Sequence, residues 1–297
     1  MLATAKEVLV KARVGHYAVP GFNCVDDVMV RTILDTAQEC RSAVFVMCYE
    51  QELDEKLWIY LPRLVKAVAG EYDVPVVLHL DHSQNHESIQ KALDIGFTSV
   101  MYDGSALPFA QNVEMTRKAV EMAKPYGASV EAELGLVGGF GLAANEKVAN
   151  ILTEPEEVVQ FVNETGVDSL AISIGTAHGV YTQLPNLDIE RLKKLDAVSK
   201  VPLVLHGGSG TPNDQIQNAV RNGICKLNVY ADSRVALWKS VKKAVAEITR
   251  EDPLPKEYFA RFRADLGQSM REKFELLYAV GTFPNQETVY NAGRSGK

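Results

Sequence analysis

Eight short runs of apolar and β-branched residues alternate with longer stretches of helical spacing as far as about residue 250, and this order leaves few folds open. The runs are Tyr17–Asn23, Ala43–Cys48, Val74–Asp81, Ser99–Asp103, Ala128–Glu133, Ser169–Gly175, Val201–His206 and Cys225–Tyr230. A strand followed by a helix, repeated, forces parallel pairing, because the crossover returns the chain to the same end of the sheet before the next strand begins. Eight such units predict an α/β fold, a (β/α)8 TIM barrel. Pro75 and Pro202 stand at strand entrances, where a missing N–H is tolerated. The 297 residues read as a single barrel domain with a C-terminal helical extension, about 252–297, that caps the barrel or reaches a neighbouring subunit.

Charge narrows the partners. The formal net charge is −7 with no blocks of like sign, so neither a nucleic acid nor an anionic membrane finds the basic patch it needs. No apolar run approaches the ~18 residues of a membrane helix, and Lys6, Lys11 and Arg13 interrupt the N-terminal apolar stretch. Cys24, Cys40, Cys48 and Cys225 are scattered, with no CxxC, as in a reducing compartment without disulfides. The expectation is a cytoplasmic protein whose anionic substrate is held by local groups.

One connection is long for a barrel. Leu134 to Thr153 carries Gly135, Gly138, Gly139 and Gly141 and reads either as a mobile lid, about 135–153, or as a surface insertion.

In a parallel barrel the C-terminal strand ends converge on one face, so polar residues ending apolar runs are informative. Run three ends His79-Leu80-Asp81-His82, run five Glu131-Ala132-Glu133, and run seven Leu205-His206-Gly207-Gly208-Ser209; run six leads into Gly175-Thr176-Ala177-His178-Gly179. Three of the six histidines thus share a rim, and three imidazoles with an open fourth position make a catalytic zinc site. His82, His178 and His206 are the candidate ligands; taken singly, each is as readily a structural histidine. Asp81, beside a ligand, is the candidate acid/base, or else a carboxylate that orients an imidazole. Glu133 is a proton relay, an alternative metal position or a core carboxylate. His79 reads as a packing or supporting residue and His86 as exposed. Gly207-Gly208-Ser209-Gly210, opening a helix, offers sterically unhindered backbone N–H groups to a phosphate or is simply a tight turn. The end of run eight, from Asn228 on, should close the same pocket. Asn23, ending run one, counts with the substrate contacts.

With His-Leu-Asp-His (79–82), Glu-Ala-Glu-Leu-Gly (131–135), Ile-Gly-Thr-Ala-His-Gly (174–179), Leu-His-Gly-Gly-Ser-Gly (205–210) and Lys-Leu-Asn-Val (226–229), the chain resembles the class II fructose-bisphosphate and tagatose-bisphosphate aldolases over nearly its whole length. The resemblance implies Asp81 as proton donor and His82, His178 and His206 on zinc. It also implies Gly179, Gly207, Gly208, Ser209, Asn228, Val229, Tyr230 and Ala231 at dihydroxyacetone phosphate, and a monovalent cation such as sodium near that phosphate. Arg263 falls where relatives offer an arginine to the second phosphate, often across the interface of a homodimer or homotetramer; as a residue, it is equally a surface helix arginine.

The sequence also departs from the family. Phe140, Gly141 and Leu142 stand where relatives carry a lid carboxylate, which leaves Glu146 as a substitute; Ala231 replaces a usual Thr, and Cys48-Tyr49-Glu50-Gln51 a Ser/Gly-rich stretch. A different ketose phosphate, with one phosphate rather than two, is therefore an alternative substrate. Rival activities are a zinc hydrolase, a Schiff-base enzyme using Lys226, and a sugar-phosphate sensor that would need neither Asp81 nor the histidines.

Overall fold

All eight expected strands form and close on one another in chain order. The computed structural model describes residues 1–138, 149–179 and 184–283. Its strands are β1 (Val19–Asn23), β2 (Val44–Tyr49), β3 (Val76–Ser83), β4 (Ser99–Tyr102), β5 (Ser129–Leu134), β6 (Ser169–Ile172), β7 (Leu203–Leu205) and β8 (Ile224–Val229). They make a closed parallel barrel in which β8 pairs with β1. Helix α1 (Ala5–Gly15) precedes β1, and α2 (Asp27–Cys40), α3 (Leu57–Val68), α4 (His86–Ile95) and α5 (Phe109–Ala123) follow the first four strands. The second half continues with α6 (Pro155–Thr165), α7 (Ile189–Val198), α8 (Asn213–Arg221), α9 (Ala231–Glu247) and α10 (Pro255–Leu276).

Local chemistry sets where each crossover begins. Asp26, Asn85 and Asp188 accept the N–H of Met29, Ser88 and Arg191, satisfying donors that the first turns of α2, α4 and α7 cannot pair internally. The apolar spacing then docks each helix; α2 buries Met29, Val30, Ile33, Leu34 and Ala37. Expected strand limits shift most on the functional face. β6 stops at Ile172 and β7 at Leu205, short of Gly175 and His206, because the chain there leaves the ladder to build the rim, while β3 runs on to Ser83.

The C-terminal extension is helical from Pro255 and packs as α10 on α9 and α2. Phe274 meets Phe22 of β1 at 5.9 Å between centroids, and Ala18 N–H donates to Leu277 O at 3.0 Å. Gly281 and Phe283 donate backbone N–H groups to Cys40 and Arg41, so the extension is sewn to the β1–α2 quarter of the barrel. The four cysteines are buried thiols. Among the described residues no helix is long and apolar enough to cross a membrane.

Candidate active site

The C-terminal strand ends open into a cavity of about 350 Å³. Its floor is made by Asn23 from β1, Asp81 and His82 from β3, Glu133 from β5, and Asn228 from β8, with Asp103, His178 and the Gly207–Ser209 turn arriving just beyond their strands. Successive residues of a regular strand face opposite sides, so Asp81 and His82 should not share a cavity. They do because β3 is irregular: its register with β4 slips between Leu80 and Ser83, and His82 adopts φ +52°. A bulky side chain in left-handed backbone costs free energy, and such strain collects where geometry serves function.

The three candidate imidazoles converge. Their ring centroids lie 4.6 to 6.0 Å apart, and one nitrogen from each falls within 4.8 Å of the others. Two of the rings are oriented from behind. His82 Nδ1–H donates to Asp103 Oδ2 at 2.8 Å, and His206 Nε2–H donates to Glu131 Oε1 at 2.9 Å. His178 Nε2 is left buried without a hydrogen-bond partner, and His206 Nδ1 and Glu133 Oε2, also buried, have only each other, 3.3 Å apart in poor hydrogen-bond geometry. Buried polar atoms are nearly always satisfied, so orphans gathered at one point call for a cation. The remaining nitrogens make up a group of the kind that zinc takes, with carboxylates behind two of the rings, so the residues present fit that ion. Glu133, which accepts Val137 N–H through its other oxygen, also groups with His82 and Asp103 as a second possible ligand set.

Charge is distributed unevenly among these groups. Burial alone would lower His82, but the Asp81 charge and the Asp103 hydrogen bond push it up to about 10. Burial, reinforced by His82 and His206, takes His178 down to about 3. Although burial opposes it, His82 and His206 hold Asp81 below the usual carboxylate range. That carboxylate is also clamped: Asn23 Nδ2 donates to one oxygen at 2.8 Å and Asn228 Nδ2 to the other at 3.0 Å. Asp81 is thus an ionised, oriented carboxylate one residue from a candidate ligand.

On the far side of the cavity the backbone takes over. Gly207 has φ +68°, and a Cβ there would lie 2.5 Å from Ala177 O, so the turn requires glycine. Ser209 Oγ accepts the N–H of Tyr230 and of Asp232, both at 3.2 Å, tying this turn to the start of α9. A Gly-rich turn beside a helix N-terminus suits an anion. Arg234, three residues after Ala231 on α9, also lines the cavity and lies over the Tyr230 ring at 5.3 Å. It is the one Lys or Arg in the cavity wall among the described residues.

Residues 3–282 match the family model of class II fructose-bisphosphate aldolases. The chain belongs to that family. A fructose-bisphosphate aldolase of Giardia intestinalis is 34% identical over 308 aligned positions, covering 94% of each chain. The crystal structure of the YdjI aldolase of Escherichia coli K12 superposes with TM-score 0.84 at 31% identity, over 95% of this chain and 99% of the other. At 23% identity, the fructose-bisphosphate aldolase of Campylobacter jejuni shares the fold, with TM-score 0.80 over 95% and 97% of the two chains. The chain is therefore an aldolase, a lyase of carbon–carbon bonds.

The other residues singled out in the sequence of this aldolase take varied positions. Val229 is buried and outside the cavity wall, since in β8 its side chain faces away from that of Asn228. Arg263 sits on α10 and contributes nothing to the wall of its own chain's cavity. His86 is half-buried, not exposed: Nε2 reaches Met115 O at 2.8 Å and its ring stacks on Tyr102 at 5.1 Å. Lys226 points into the barrel core, fully buried and bonded to Glu131 at 2.7 Å, so its amine is unavailable for a Schiff base. His79 is a core residue, its Nδ1 bonded to Ser99 Oγ at 2.7 Å. Gly179, Gly207, Gly208, Ser209, Tyr230 and Ala231 all line the cavity.

Of the connection 135–153, residues 139–148, including Phe140, Gly141, Leu142 and Glu146, lie outside the described residues. Its base is anchored: Leu136 and Ile151 exchange backbone hydrogen bonds at 2.8 and 2.9 Å, and Asn150 accepts Gly138 N–H. Reading strand ends alone missed Tyr49, Gln51, Gln84, Ser105 and Arg234, which also line the cavity. Asp103 was within reach of the same rule, being the polar residue that ends the fourth run.

Proposed function

We propose that this aldolase is zinc-dependent and reversibly cleaves a phosphorylated ketose of the fructose- or tagatose-bisphosphate type to dihydroxyacetone phosphate and an aldehyde. The observation that carries the reading is the cluster of His82, His178 and His206, with a buried unpartnered nitrogen on His178 and one on His206 that meets only Glu133, beside the clamped carboxylate of Asp81. His82, His178 and His206 would hold the ion, with Glu133 as an alternative position. When bound, zinc supplies a Lewis acid for the negative charge that carbon–carbon cleavage leaves on the ketose fragment.

The chain's own groups account for the rest. Asp81 takes the proton from the C4 hydroxyl oxygen as the bond breaks and returns it in the condensation direction. Asn23 and Asn228 fix which way its oxygens point. The Gly207–Ser209 turn and the start of α9 hold the dihydroxyacetone phosphate end, joined by Gly179, Tyr230 and Ala231 in the wall. Arg234 is placed for a second anionic group, with a planar fork suited to phosphate. Arg263, outside the wall of its own chain's cavity, would meet substrate only from a second copy in a homodimer or homotetramer. The catalytic unit is the whole chain as one barrel domain.

A ketose monophosphate is the second reading. It is favoured by Tyr49, Gln51, Gln84 and Ser105, which give part of the rim uncharged hydrogen-bonding groups. Aldol cleavage of fructose 1,6-bisphosphate, tagatose 1,6-bisphosphate and the matching 1-phosphates, with chelator and then zinc add-back, tests both. Triose phosphate release that a chelator stops and zinc restores is expected; release that survives metal removal would sink the zinc mechanism. The relative rates on mono- and bisphosphates choose between the substrates.

A further inference from the structure

We propose that Lys226 is a positioning residue for His206, acting through Glu131; the inference rests on His206 being a zinc ligand. Along β3, β5 and β8, two residues before Asp81, Glu133 and Asn228, stand His79, Glu131 and Lys226. Side chains two apart on a strand face the same way, so these three form a layer directly beneath the cavity floor. All three have no solvent exposure. Barrel interiors are ordinarily filled by branched apolar side chains. A buried Lys–Glu pair is often no more stabilising than apolar residues of similar volume, so its presence here points to a geometric role.

The bonds supply that role. The Glu131 carboxylate is held at both ends: Oε1 accepts from His206 Nε2–H at 2.9 Å, and Oε2 accepts from Lys226 Nζ at 2.7 Å. With Nε2 carrying the proton, His206 presents the lone pair of Nδ1 toward the cavity side, where the nearest polar atom is Glu133 Oε2 at 3.3 Å, without good hydrogen-bond geometry. The tautomer and ring plane of His206 therefore follow from where Glu131 points. Lys226 fixes that direction, because the other neighbour of Oε2, Ser169 Oγ, lies at 3.5 Å. The ammonium is itself confined, 4.9 Å over the Phe45 ring. Lys226 thus reaches the metal centre without entering the cavity.

The test is metal affinity, not turnover. Metal-free protein is titrated with zinc in competition with a chromogenic chelator, and cobalt(II) is added separately to read ligand geometry from its d–d absorption. A parent chain that takes up no zinc would overturn the metal-centre reading, and with it this inference. With a zinc-binding parent, Lys226→Met should weaken zinc by about 10–100-fold, the usual effect of removing a group that orients a ligand, and should shift the cobalt spectrum. Lys226→Arg, which keeps the charge, should stay closer to the parent on both readings. If Lys226→Met does not fold, Lys226→Gln takes its place with the same expectation. A folded neutral variant that binds zinc and cobalt like the parent removes the positioning role. So does failure of both neutral variants to fold while Lys226→Arg folds and binds normally, since Lys226 would then be a structural charge alone.

Discussion

The floor and the rim of the cavity are built in different ways. On the floor, Asp81, His82 and Asn228 are carried on strands, and most groups are held by a second side chain: Asn23 and Asn228 on Asp81, Asp103 on His82, Glu131 on His206. On the rim, Gln51, Gln84, Ser105 and Arg234 come from loops and a helix start. The contrast shows where this barrel requires accuracy. Groups at the proposed reaction centre tolerate little displacement, so Asp81 and His82 rest on a strand and Asp103 and His206 directly follow one, His178 coming from the β6–α7 connection, whereas groups that meet the variable end of a substrate sit on segments that change at low cost.

If that division is right, substitutions should fall into two families of effect. The largest belongs to the floor: His178→Ala should abolish stoichiometric zinc and reduce cleavage by on the order of 10³-fold or more, since Lewis-acid stabilisation contributes several kcal/mol. Metal analysis of the purified variant beside its rate checks this, and full activity without zinc would dissolve the comparison. Asp81→Asn should lower kcat by about 10²- to 10⁴-fold, the range of general acid–base catalysis, while zinc content stays at the parental level. Asp103→Asn, which leaves His82 without its anionic partner, should weaken zinc by about 10–100-fold; chelator competition measures it, with recovery of activity at high zinc as the companion observation. The rim effect is smaller and of another kind. Arg234→Ala should raise KM by roughly tenfold, the loss of one charged hydrogen bond, with kcat within a few-fold. Steady-state kinetics on a bisphosphate and the matching 1-phosphate sharpens this: an equal loss on both assigns Arg234 to the phosphate they share, and a loss confined to the bisphosphate assigns it to the second.

The same division explains what the sequence disclosed. Barrel closure followed from eight apolar runs, because strand period and crossover length are local signals. His206 and Asp81 were readable as polar residues ending such runs, and Asp103 obeyed the same rule. Arg234 was not, since its arrival depends on where α9 starts relative to the strand before it, and nothing in Ala-Asp-Ser-Arg announces a cavity. Val229 went the other way. Alternation along β8 sends its side chain to the face opposite that of Asn228, so the Val229 side chain does not line the cavity. His86 looked exposed because its partners, Tyr102 and the Met115 carbonyl, come from β4 and α5, distant in sequence.

The irregularity in β3 has a consequence for how such a site can change. Because Asp81 and His82 are consecutive residues turned into one cavity by a single kink, the proposed base and the candidate ligand move as one mechanical part. A shift along β3 carries both, and straightening the kink turns one of them away. Selection for a new substrate is thereby steered toward the rim, where a side chain can be exchanged alone, and the reacting pair is inherited or lost together.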